Sequence, residues 1–214
     1  MAFLKQSRFP RLWLLMQNTI GGNACKQALA IDHYRGQRRV LEIGCSVGNI
    51  SSAFRAFPDV EFTGIDIDPH AIDLAKRRFR NYPNFSFSLK SLEELSRQGV
   101  KFDYVLFAAM LHHVNDEDGL RLLSEAVECT ASGGQLVIYE PEAIKASDGW
   151  FLRFFYSNFE QGIFLRFRED LLGLVERAGI ALQSVEDRMV SPGIVTRPYV
   201  ARFNLLVGKP AAKA

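Results

Sequence analysis

Hydrophobic positions in this chain alternate between two patterns. Short strand-like runs occur at residues 40–43, 60–65, 85–89, 104–109 and 135–139, and the unbroken apolar run 104–109 is what a strand at the centre of a parallel sheet, buried on both faces, requires. Between them lie segments with helical spacing. Residues 50–57 place Phe54 and Phe57 on one side, and residues 69–79 place Ala71, Leu74, Ala75 and Phe79 inward with Lys76, Arg77 and Arg78 outward. Asp68-Pro69 supplies a cap and a first-turn proline, and Ser91 with Glu94 has the spacing of a capping box for a helix over 91–98. Further helices are predicted over 117–129, before Gly133-Gly134, and over 168–178, stopped by Gly179. The chain ends in two strand-like runs, 181–185 and 200–207, with no helix between them. That pair must be antiparallel, because a parallel return needs a long crossover. Alternation followed by a terminal antiparallel pair predicts an α/β fold with helices on both faces of the sheet.

The 214 residues are 48% hydrophobic, enough for one domain with a full core, and no internal repeat or second domain is visible. Twenty-six basic and 24 acidic side chains leave a net charge of +2 with no long basic block, so no nucleic acid is expected as a partner. Cys25, Cys45 and Cys129 are scattered and odd in number, which fits neither a disulfide framework nor a metal site; a cytoplasmic setting is expected. No run reaches transmembrane length. Residues 1–20 read as an amphipathic helix, and residues 1–38 as a helical cap on the domain.

The chemistry concentrates at the ends of the first strands. Glu42-Ile43-Gly44-Cys45-Ser46-Val47-Gly48-Asn49 closes the first apolar run with an acid and a glycine-punctuated turn. Such a turn is bare enough for a ligand to touch backbone. Asp66 closes the second run, about 20 residues on, where a nucleoside ribose ligand sits in a Rossmann-like unit. A dinucleotide fingerprint fails, because Ser46 and Asn49 hold its second and third glycine positions. The run E-x-G-x-S-x-G instead resembles motif I of the class I S-adenosylmethionine-dependent methyltransferases, with Ser46 in place of a glycine. Serine there is the mildest replacement if the backbone does not need positive φ. Phe62 through Pro69 resembles the family's second-strand motif. Phe102-Asp103-Tyr104-Val105 with Met110-Leu111-His112-His113-Val114 resembles its fourth strand and exit, an LHHV motif. Ser132-Gly133-Gly134 resembles its turn before strand five.

The resemblance implies a Rossmann-like seven-stranded, mostly parallel sheet of order 3-2-1-4-5-7-6 with an antiparallel last strand. It implies S-adenosylmethionine as cofactor and S-adenosylhomocysteine as product. Carried over residue by residue, Glu42, Gly44, Cys45, Ser46, Gly48, Asn49, Asp66, Ile67, Ser91, Leu92, Ala108 and Met110 become cofactor-binding positions. The family's adenine-binding acid after strand three is missing: Lys90 or Ser91 stands there, leaving the Ser91 oxygen and the Leu92 amide. Residues 17–23 resemble the segment that closes over the methionine end in some small-molecule methyltransferases.

Methyl transfer asks for an acceptor held about 3 Å from the methyl carbon with water excluded; a base is needed only for an acceptor that keeps its proton, and metal is not required. His112 and His113 leave the central strand at its carboxyl end and are the candidate bases, with Tyr139, Glu140 and Tyr156 behind them. Residues 142–167 read as an aromatic lid, in which Trp150, Phe154 and Tyr156, with Arg153 and Arg166, are candidate substrate contacts. Dimer contact and peripheral membrane contact are alternative uses of that segment. The reading is methyl transfer to a small hydrophobic or aromatic acceptor by a monomer or homodimer. A non-catalytic cofactor-binding or regulatory protein, and a protein or RNA methyltransferase, are the alternatives.

Overall fold

The computed structural model describes residues 15, 18–19, 22–159, 162–192 and 198–212. Helix α1 is Asn23–Asp32, followed by β1 Arg39–Ile43, a 3₁₀ turn Ser51–Ala56, β2 Glu61–Ile65 and α2 Pro69–Arg78. Strand β3 Phe85–Ser88, α3 Leu92–Arg97 and β4 Phe102–Ala108 come next. A short 3₁₀ turn Leu111–His113 leads to α4 Asp116–Cys129 and β5 Thr130–Pro141. Helices α5 Trp150–Phe159 and α6 Arg168–Arg177 precede β6 Ile180–Val190 and β7 Ala201–Pro210. Most of the expected helical cap before Gly22 lies outside the described residues.

The seven strands form one sheet of order β3-β2-β1-β4-β5-β7-β6. Pairs from β3 through β5 are parallel, while β7 runs antiparallel to both β5 and β6, as the helix-less ending requires. Alternate side chains of each strand build two cores. Val40, Tyr104, Leu106, Val137 and Leu205 face α1, α2 and α5, and Tyr104 donates its hydroxyl to the Ala30 carbonyl at 2.6 Å. Leu41, Val105, Phe107, Ile138 and Leu206 face α3, α4 and α6. Strands β1 and β4 are adjacent although 2 and 3 lie on one side and 5 to 7 on the other. The crevice at their carboxyl ends is the switch point where open α/β sheets bind ligands.

Local signals act as read. Asp68 accepts from the His70 and Ala71 amides at 2.8 and 3.3 Å, and Pro69 opens α2. The Ser91–Glu94 capping box closes with both bonds made, 3.2 and 2.7 Å. Two expectations need correction. Residues 50–57 form a 3₁₀ turn rather than an α-helix, because Ser51 is drawn inward to bond Glu42 and Phe54 is fully buried within a single turn and a half. No loop separates α4 from β5. The strand starts directly at Thr130, and Gly133-Gly134 forms an irregularity inside it where the register against β4 shifts.

Gly64, in the middle of β2, has no room for a side chain: a Cβ would lie 2.7 Å from the Phe87 ring and 2.9 Å from the Cys45 sulfur. Gly64→Ala is therefore expected to cost about 1–3 kcal/mol, read as a lower midpoint in thermal or urea unfolding.

Candidate functional site

The switch-point crevice is lined by two loops. After β1, the Gly44 and Cys45 amides both donate to the Ile65 carbonyl, 2.9 and 3.0 Å, so the chain folds back across the tip of β2. Gly44 and Gly48 have positive φ, 70° and 71°. A Cβ at Gly44 would press on Met110 at 3.0 Å, and one at Gly48 would meet the Phe79 ring at 2.7 Å. Both glycines are therefore fixed by conformation and by crowding. Ser46 also has positive φ, 52°, so the condition attached to this serine fails: it holds a left-handed conformation that glycine would adopt without strain. Ala109, on the other loop, is the second described non-glycine residue with positive φ, 54°. Backbone strain of this kind gathers at functional sites.

Asp66 organises the first loop from the tip of β2. Its carboxylate accepts from the Ser46 amide at 2.8 Å and from the Asp68 amide at 2.9 Å. The next side chain, Ile67, is 92% exposed, and Leu89 beyond β3 is 54% exposed. Ser91 spends its hydroxyl on the α3 cap, and Leu92 turns its side chain into the core. Cys45 is buried, and burial pushes its thiol well above the ordinary range.

Glu42 lies beneath the same loop, 1% exposed. Ser51 donates to it at 2.5 Å, and among the described residues no cation reaches it. Burial, opposed by the Ser51 bond and helped by the nearby Asp66 charge, raises its carboxyl to about 8. Alongside, Asn49 donates to Asn23 at 3.2 Å, Asn23 donates to Asn18 at 2.6 Å, and Gln27 donates to the Asn49 carbonyl at 2.6 Å. This amide chain ties α1 and Asn18 to the glycine loop.

The second loop, after β4, is held by a residue the sequence reading ranked low. Glu140, near the end of β5 and 3% exposed, accepts from the Met110 and Leu111 amides at 2.7 Å each and from the His112 amide at 3.2 Å. Its other contact is the His112 ring, Nδ1 to Oε2 at 2.7 Å. Burial alone would raise this carboxyl, but His112 and the amides outweigh it and hold it below the ordinary carboxylate value. From the far side Arg166 clamps the same turn. It donates to the Leu111 and Val114 carbonyls at 2.8 Å each and pairs with Asp116 at 2.8 Å. Arg166 is thus a structural brace rather than a free cation for an acidic substrate group. The signal for both residues was a charged side chain bordering an apolar stretch, which says that a partner exists without saying which.

The histidines diverge, as adjacent residues leaving a strand should. His112 is buried and His113 exposed, with ring centroids 4.1 Å apart. The segment after α5 returns over them: Phe164 donates to the His112 carbonyl at 3.0 Å, and a side chain at Gly162 would collide with the His112 ring. The expected substrate residues separate. Tyr156 is buried in the core beneath α5, whereas Trp150 and Phe154 point outward, 78% and 54% exposed. Arg153 turns back to the carbonyls of Asp148, Lys145 and Ala146. Ala108 lies 8% exposed under the second loop.

The family model described as a methyltransferase domain matches residues 40–134. The malonyl-[acyl-carrier protein] O-methyltransferase 1 of Ilyobacter polytropus is 25% identical over 114 residues, 53% of this chain and 41% of that protein. The ubiquinone biosynthesis O-methyltransferase of Coxiella burnetii is 27% identical over 100 residues, 46% of this chain and 42% of that protein. The chain thus spans about two fifths of the length of these relatives. Among solved structures, the pyocyanin biosynthetic protein PhzM superposes with a TM-score of 0.67 at 19% identity, covering 88% of this chain and 56% of that one. The calicheamicin-biosynthesis methyltransferase CalO1, solved with S-adenosylhomocysteine, superposes with a TM-score of 0.65 at 18% identity, covering 89% and 54%. Likeness at that identity concerns the fold.

The two buried carboxyls predict opposite pH behaviour. Glu42, raised in the fold, contributes stability that is complete below the ordinary carboxylate range and lost as pH rises through about 8. Glu42→Gln should therefore flatten the alkaline fall of the melting temperature seen in the parent protein. Glu140, lowered in the fold, contributes stability that is present above the ordinary range and lost on acidification. Glu140→Gln should cost about 3 kcal/mol at neutral pH, a deficit that shrinks in melts taken at progressively lower pH. Residues 40–134 thus match a methyltransferase domain, and the strand order of the sheet around them is that of the Rossmann-like fold these solved structures share.

Proposed function

We propose that this chain methylates a small, apolar or aromatic molecule, with oxygen as the attacked atom and His112 as general base. The reading is carried by the buried His112–Glu140 pair at 2.7 Å, set at the carboxyl end of β4 beside the glycine loop. Charge on Glu140 fixes the proton on the Nδ1 of His112, which leaves Nε2 as the basic atom. Protein-side work is then a proton taken from an acceptor hydroxyl as its oxygen attacks, with the imidazolium stabilised by a carboxylate that three amides keep ionised.

The residues on the first loop fit the family's cofactor. Glu42 is a buried carboxyl without a cation, suited to the positively charged methionine end. Asp66 offers two carboxylate oxygens for the ribose hydroxyls, and the exposed Ile67 and Leu89 offer apolar plates for a planar base. The bare backbone at Gly44 and Gly48 allows close approach. When bound, S-adenosylmethionine supplies an activated methyl group, so orientation and exclusion of water carry most of the rate. The names of the relatives, which describe O-methylation of a carrier-bound malonyl group and O-methylation in ubiquinone biosynthesis, support oxygen as the acceptor atom. The aromatic segment from Trp150 onward supports an apolar acceptor.

Asp66→Ala is expected to weaken S-adenosylmethionine binding by about tenfold or more in calorimetry; unchanged affinity removes Asp66 from the ribose role. The acceptor class is found by incubating the protein with methyl-labelled S-adenosylmethionine and fractionated small-molecule extract. On the acceptor so found, His112→Ala should lower turnover by about a hundredfold while cofactor affinity holds. Equal turnover would return the histidine to a purely structural place.

A further inference from the structure

A second concave site lies away from the crevice, on the outer side of the sheet edge formed by β3. It is a cavity of about 350 Å³, within the size range of small-molecule pockets. Phe79, Tyr82, Phe85 and Phe87 line it, and Lys76 and Arg80 stand at its rim. The rings are ordered against one another: Phe79 stacks on Phe85 at 5.0 Å and meets Phe87 at 4.8 Å.

The charge around this cavity is one-sided. Arg55 lies over the rings of Phe79 and Tyr82, 4.1 and 4.7 Å from their centroids, and Arg78 approaches Phe79 at 5.9 Å. Lys76, Arg80, Arg55 and Arg78 form no ion pair among the described residues. Part of the basic run is explained by the carboxyl end of α2, where cations complement the helix dipole. That does not account for Arg80 beyond the helix or for Arg55 on another element. Two cations lining the cavity, Lys76 and Arg80, with Arg55 and Arg78 against the rings of its floor, favour an anion that also carries a flat apolar ring.

The floor is also the back wall of the cofactor loop. The Phe79 ring occupies the space a Cβ on Gly48 would need, the Phe87 ring does the same at Gly64 beside Cys45, and Arg78 donates to the Val47 carbonyl. A displacement of either ring must be transmitted to the glycine loop, because close-packed neighbours have nowhere else to go.

We propose that this cavity is an effector site for a small aromatic anion, a ring bearing a phosphate or carboxylate, and that its occupation changes cofactor affinity through Phe79 and Phe87. The probe is phenyl phosphate, followed by calorimetry and by heteronuclear NMR on the full chain. Inorganic phosphate, benzyl alcohol, benzoate and a single-stranded oligonucleotide serve as comparisons. Phenyl phosphate and benzoate should both bind and perturb residues 76–87 first, and benzyl alcohol, which lacks the charge, should not. Lys76→Ala combined with Arg80→Ala should weaken it about tenfold with an unaltered melting temperature, since both side chains are exposed. Saturating phenyl phosphate should shift the affinity for S-adenosylmethionine, with a reciprocal effect of the cofactor on the probe. Equal binding of phenyl phosphate by the double variant overturns the proposal. So does equal affinity for inorganic phosphate, which would mark a bare cationic patch, or tighter capture of the oligonucleotide. A cofactor affinity indifferent to the probe overturns the coupling. None of these readouts depends on turnover or on the acceptor.

Discussion

The geometry of the crevice depends on one buried carboxylate. Strand β4 ends at Ala108, the Ala109 amide still donates to the Tyr139 carbonyl of β5 at 2.9 Å, and the residues from Met110 on have left the sheet's hydrogen-bond ladder before α4 begins at Asp116. Their amides would be buried without partners if nothing replaced the ladder, at a cost of about 1–3 kcal/mol each. Glu140, reaching across from the neighbouring strand, takes three of them and the His112 ring at once. Arg166 accounts for the complementary carbonyls from the opposite side. A single short 3₁₀ turn is thereby held through both its amides and its carbonyls.

The same economy governs the first loop. Asp66 takes the amide of Ser46, and the Ile65 carbonyl takes the amides of Gly44 and Cys45, so the loop is held by the tip of the adjacent strand. The two loops then touch: Met110, whose amide Glu140 holds, is the residue that leaves no space for a side chain at Gly44. Strain at Ser46 and Ala109, one on each loop, is the cost of bringing two chain reversals this close. Electrostatically the site is acidic underneath, with Asp66 near enough to add to the cost of ionising Glu42. Such a pair prefers a cation between or beside them, which agrees with the sulfonium chemistry of the family.

The lid segment shows a division of labour. Tyr156 and its inward neighbours belong to the core, anchored where Arg202 pairs with Asp148 at 2.7 Å and with Glu142 at 2.8 Å. Trp150 and Phe154 belong to the outer face. An aromatic count could not separate the two groups, because helical spacing places them on opposite sides of a single ten-residue helix.

The sequence by itself determined the alternation of strands and helices, the antiparallel ending, the capped starts of α2 and α3, the glycine loop and the two acids beside it, while the strand order came only with the family resemblance. Those features are local: an unbroken apolar run, a cap, a missing crossover or a turn residue is complete within a dozen positions. It also named His112 and His113 without choosing between them, and an aromatic segment over 142–167. Only the tertiary structure decided that Glu140 holds His112, that Arg166 braces a turn 50 residues away from it in sequence, that Ser51 bends its segment into a 3₁₀ turn to reach Glu42, and that Ser46 sits at positive φ. Each of these joins elements that are distant along the chain. A polar side chain's need for a partner is written in its type, while the partner is chosen by which strands come to lie side by side.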